Sequence, residues 1–279
     1  MAAYLHFLIT GSYRFLTWYF LILGTLFFLL TASAEFYLAL ECRAGFEADE
    51  PMRMAWTFIA LSSLSRFVGN ALISLDHWRG VSLPGGSSVL AVLLPAGLAQ
   101  AGEVIGGPLA MFFLLVALIR VLTIQEKFGV LGGLSLTDLL FICLIVASTL
   151  VEVANIVGYV GPNFEPPPLT KAILWLSDPV LSLLLIQAVM IRRSVIRVGL
   201  GLVSQCWGMY VIAIVTTLAG DASIWVVGEG LLSERLIALT WYIWFFAAAA
   251  FASAPAYQLA AMRLPLAHEN ARSANVDSR

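Results

Sequence analysis

The chain has 279 residues, 61% of them hydrophobic and 11% charged, with a formal net charge of -2. A soluble domain carries about 45–50% apolar and about 25% charged residues, so lipid rather than water must be the main solvent of this chain. The small net charge gives no electrostatic basis for a nucleic-acid partner. Three scattered cysteines, Cys42, Cys143 and Cys206, do not make a disulfide framework.

A bilayer core of about 30 Å is crossed by about 20 apolar residues in a helix. In chain order, the segments 15–40, 54–75, 96–123, 136–160, 169–191, 198–219 and 236–262 meet that length. They predict an all-α integral membrane protein, a seven-transmembrane-helix bundle filling residues 1–263. The first segment reads as a helix that stays, because it exceeds a signal-peptide core and lacks a cleavage site after it. Between the second and third, Pro84, Gly85, Gly86, Pro95 and Gly97 break the apolar run, so 87–94 is expected as a short interfacial or re-entrant piece. Residues 264–279 are expected to be a polar, disordered tail.

Lysine and arginine placement sets the expected orientation. One side holds Arg43, Arg53, Arg120, Lys127, Arg192, Arg193, Arg197, Arg263, Arg272 and Arg279. The other holds Arg14, Arg79, Lys171 and Arg235, and Arg66 lies within a helix. The more basic side is cytoplasmic, which puts the N-terminus outside and the C-terminus in the cytoplasm. The expected location is the cell membrane, multi-pass.

The polar residues within the apolar segments carry the functional signal, because a charge at a helix centre costs about 2.5–3.5 kcal/mol on insertion scales. Arg66 and Asn70 lie four apart on the second helix. Gln100 and Glu103 lie three apart on the third, and Glu152 and Asn155 three apart on the fourth. Each pair shares a helix face. Asp178 lies in the fifth helix, before Pro179, and Asp221 just after the sixth. With the expected topology, all eight fall in the outer half. If their faces converge they form one acid-rich chamber, above a mostly apolar inner half. Its four acids face one cation, Arg66, so a shared proton or a bound cation is expected there. Glu35, in the inner part of the first helix, is expected near the headgroups. Interhelical polar bonds that merely hold the bundle, at about 0.6 kcal/mol each, are the competing explanation.

Prolines and small residues add local expectations. Pro108 and Pro179 free the carbonyls of Val104 and Trp175, and Pro255 kinks or ends the last helix. Gly102, Gly106 and Ala110 make a small-residue stripe for close helix approach, and Ala247 to Ala256 is almost entirely small apart from Phe251. Trp18, Trp78, Trp225 and Trp241 sit near the outer boundary as an aromatic belt, while Trp207 and Trp244 lie deeper and are expected to pack in the core.

The expected function is non-enzymatic. No histidine cluster, Ser–His pair or phosphate-cradling loop is present, and no cofactor is implied. The topology is similar in shape to heptahelical receptors and rhodopsins, without a shared motif. The last helix has no lysine for a retinal Schiff base. The expectation is a sensor or receptor-like module that binds a small molecule or cation through Arg66, Asn70, Gln100, Glu103, Glu152, Asn155, Asp178 and Asp221. It would act through a separate cytoplasmic or membrane partner. The alternatives are an ion- or proton-coupled transporter using the same acids, or a scaffold subunit of a larger membrane complex.

Overall fold

Six helices in the computed structural model are long and apolar enough to cross a membrane: Ile22–Ala44, Pro51–Trp78, Leu98–Lys127, Leu176–Val198, Gly201–Ser223 and Trp241–Leu264. The structure describes residues 20–80, 97–131, 135–158, 168–199, 201–228 and 237–277, with side chains at 22–78, 97–131, 135–150, 176–199, 201–223 and 241–264. All regular elements among them are helical. The expected interfacial piece at 87–94 lies outside the described residues.

The rods follow the apolar segments with longer ends. α1 joins a π turn, Phe20–Gly24, to Thr25–Ala44, and α2 is Pro51–Gly80. α3 is Leu98–Val104, a π turn Ile105–Leu109, and Ala110–Lys127. α4 is Leu136–Gly158, α5 Pro168–Val198, α6 Gly201–Gly228 and α7 Ile237–Asp277. The α3 π turn contains Pro108. A proline lacks the N–H and its ring crowds the preceding turn, and the wider π turn accommodates both. Pro255 does not end α7. The helix continues through residues 264–277, where a disordered tail was expected.

α1 packs against α2 and α7, α2 against α3, α3 against α5, α5 against α6, and α6 against α7. These contacts close a ring of α1, α2, α3, α5, α6 and α7. α4 stands outside it with α5 as its principal neighbour. Its outward leucines Leu139, Leu140, Leu144 and Leu150 are exposed, as a lipid-facing surface requires.

Close approach explains the α2–α3 contact. A Cβ on Gly69 would come within 2.7 Å of the Gly102 carbonyl oxygen and closer still to the Gly106 backbone. The stripe Gly102, Gly106, Ala110 therefore packs on α2, and the Ser62 hydroxyl donates to the Ala110 carbonyl at 2.8 Å. Small residues let the two backbones meet and gain dispersion contacts that lipid cannot match. At the other side of the ring, Phe27 and Phe28 of α1 pack on Phe245 of α7, with centroids 5.1 and 5.0 Å apart.

Candidate functional site

Glu35 is not near the headgroups. It is 1% exposed and forms an ion pair with Arg66, whose side chain is 18% exposed. Glu35 lies near the centre of the Ile22–Ala44 span and Arg66 near the centre of Pro51–Trp78. The two central charges of α1 and α2 therefore neutralise each other. The pairing follows from the cost of isolation: an uncompensated charge in this low-dielectric interior would cost several kcal/mol, roughly, so each helix depends on the other.

The pair has a defined surround. Ser63, one turn before Arg66 on α2, is buried and donates its hydroxyl to the Ile59 carbonyl at 3.0 Å. The Arg66 guanidinium carbon stands 4.1 Å from the centroid of the Phe251 ring on α7. Phe251 in turn meets Tyr210 of α6 edge-on at 6.0 Å, and Tyr210 packs on Trp207 at 5.5 Å. Four helices, α1, α2, α6 and α7, thus converge on one mid-span group. Trp207 and Tyr210 are fully buried, so Trp207 packs in the core as expected. The Tyr210 hydroxyl is buried with no hydrogen-bond partner among the described residues.

The predicted residues are distributed around this centre. Asn70 is half-buried one turn beyond Arg66 on α2. Gln100 is exposed at the start of α3, and Glu103, one turn on, is half-buried. Asp178 is 1% exposed on α5. Asp221, near the end of α6, accepts a hydrogen bond from Trp244 Nε1 of α7 at 3.2 Å. Glu103, Asp178 and Asp221 are each engaged by other groups of the fold. Glu152 and Asn155 lie on α4, but their side chains are outside the described set. α4 reaches the ring through α5, so these two belong to a helix outside the closed bundle.

The polar gradient is also less steep than expected. Gln187 and Ser194 of α5 and Gln258 of α7 are buried in the halves expected to be inner and apolar. An ion pair and a hydrogen bond lie at the ends there: Arg263 donates to Glu41 at 3.2 Å, and Arg43 Nε to the Thr57 hydroxyl at 3.0 Å. Sequence reasoning missed Glu35 as Arg66's partner. A signal existed, since both are charges about half-way along their apolar segments, on adjacent antiparallel helices. No grouping of three or more potential metal ligands occurs among the described residues.

Comparison with known proteins finds no relative: no family model, no curated protein and no solved structure matches this chain.

Proposed function

We propose that this multi-pass membrane protein is a non-enzymatic heptahelical sensor. It takes a cation or a small cationic molecule at the acid-rich level of Glu103, Glu152, Asp178 and Asp221, and acts through a separate partner. In this reading α4, with 23 residues, is the seventh spanning helix. At about 1.5 Å per residue it is long enough to cross. The N-terminus is outside and the C-terminus cytoplasmic, as the arginine distribution favours.

The Glu35–Arg66 ion pair carries this reading. It commits the cation in the middle of the spans to α1, so Arg66 does not serve as a hook for an anion. The candidates left at the expected outer level are mainly acids, Glu103, Glu152, Asp178 and Asp221, and a positive ligand suits carboxylates. Purified protein would be melted in neutral detergent with sodium, calcium or choline chloride at fixed ionic strength. One of these should stabilise it saturably, and the shift should vanish in Glu103→Gln combined with Asp178→Asn. No saturable shift, or one that survives both substitutions, would sink the proposal.

One observation favours a transporter as the second reading. Glu35, Gln187, Ser194 and Gln258 extend buried polarity from mid-span toward the cytoplasmic end. Proton or cation flux in proteoliposomes, abolished by Glu103→Gln with Glu152→Gln, would select transport over sensing.

A further inference from the structure

We propose that the inner end of the α4–α5 contact binds an anionic phospholipid of the cytoplasmic leaflet. On α5, Ile186, Met190, Arg193 and Arg197 follow one another at helical spacing, so a single face turns from apolar to basic toward the helix end. On α4, Asp138 in the first turn is followed by Phe141 and Ile142 on the same face. α4 runs antiparallel to α5, so its polar start lies beside the basic end of α5. These residues line a shallow surface crevice, open to the surroundings. Its mouth is charged and its floor apolar, which is the profile of a lipid headgroup above an acyl chain.

The charges at the mouth are unequal in what they leave available. Asp138 is held by Arg193 in an ion pair, and also accepts from the backbone N–H and hydroxyl of Ser135 at 2.7 and 2.8 Å. That arrangement fixes the start of α4 and matches the charge of Arg193. Arg197, one turn later on the same stripe, is exposed and has no carboxylate partner among the described residues. It is the cation offered to a phosphodiester. Below it, Phe141, Ile142 and Ile186 offer an apolar track. Because α4 stands outside the ring, the crevice opens toward lipid. Basic pockets between helices on the cytoplasmic side are suited to acidic headgroups, which concentrate in that leaflet. Nothing in this site depends on the acids of the outer level.

Native mass spectrometry of the full chain in neutral detergent would test this, with phosphatidylglycerol and phosphatidylcholine of identical acyl chains. Saturable binding of one phosphatidylglycerol, preferred over phosphatidylcholine, is expected. Arg197→Gln should weaken it about fivefold without lowering the melting temperature. Ile142→Trp, which fills the floor and leaves the charges alone, should weaken it as well. Arg120→Gln, an exposed cation at the same end of α3, should leave it unchanged. Three results would overturn the site: equal binding of the two lipids, the same loss in Arg120→Gln as in Arg197→Gln, or displacement of the lipid by millimolar inorganic phosphate.

Discussion

Glu35 of α1 and Arg66 of α2 form an ion pair half-way across the bundle, and Phe251 of α7 covers the guanidinium at 4.1 Å. Removing one partner strands the other. Glu35→Gln is expected to destabilise the fold by about 3–5 kcal/mol, because it leaves Arg66 uncompensated in a low-dielectric site. Glu35→Gln with Arg66→Met should recover most of that loss, since both charges are gone. Equilibrium unfolding in mixed micelles checks this. Additive losses in the double variant would show that the two residues are not coupled.

The α2–α3 contact depends on backbone proximity. Gly69→Leu must drive a side chain into Gly102 and Gly106, so a loss of roughly 1–3 kcal/mol or failure to fold is expected. Gly107→Ala is the control. A Cβ there meets nothing within 4 Å, and stability should stay within about 0.5 kcal/mol. Equal effects at the two positions would contradict the packing described.

Asp221 and Trp244 tie the end of α6 to α7 at 3.2 Å. Trp244→Phe keeps a ring but deletes the donor. A loss of about 1 kcal/mol follows, or somewhat more, since the acceptor is a carboxylate. Gly220→Ala should also perturb this contact, because its Cβ would lie 2.6 Å from Trp244 Cδ1. Thermal melts followed by tryptophan fluorescence would detect both.

The three thiols should differ in reactivity. Cys42 and Cys206 are buried, with the Cys42 thiol donating to the Pro255 carbonyl at 3.3 Å, whereas Cys143 is exposed on α4. In detergent, a small maleimide should modify Cys143 first, and the other two only after unfolding. Intact-mass measurement of a single early adduct, mapped to Cys143, checks this. An early adduct on Cys206 would contradict its burial between α6 and the neighbouring helices.

The apolar segments alone determined that this is a helical membrane protein and placed most helix starts within a few residues, while α5, α6 and α7 run well past their expected ends. Length and hydropathy suffice because lipid forces every backbone polar group into a helix. The stripe of Gly102, Gly106 and Ala110 was legible for a similar reason: spacing along one helix fixes a face. Spacing cannot say which faces meet. Arg66 was expected among the acids of the outer level because the expected topology puts Asn70, Gln100 and Glu103 at its depth, yet it pairs with Glu35 of α1. An end to α7 at Pro255, one of the two outcomes expected there, does not occur, since the helix runs on past it. The place of α4 outside the ring was not readable at all. These features depend on how each helix is rotated and which neighbour it finds, and those are settled by pairing buried charges and fitting side chains between helices. Only the tertiary structure could decide that the central cation of α2 answers to α1.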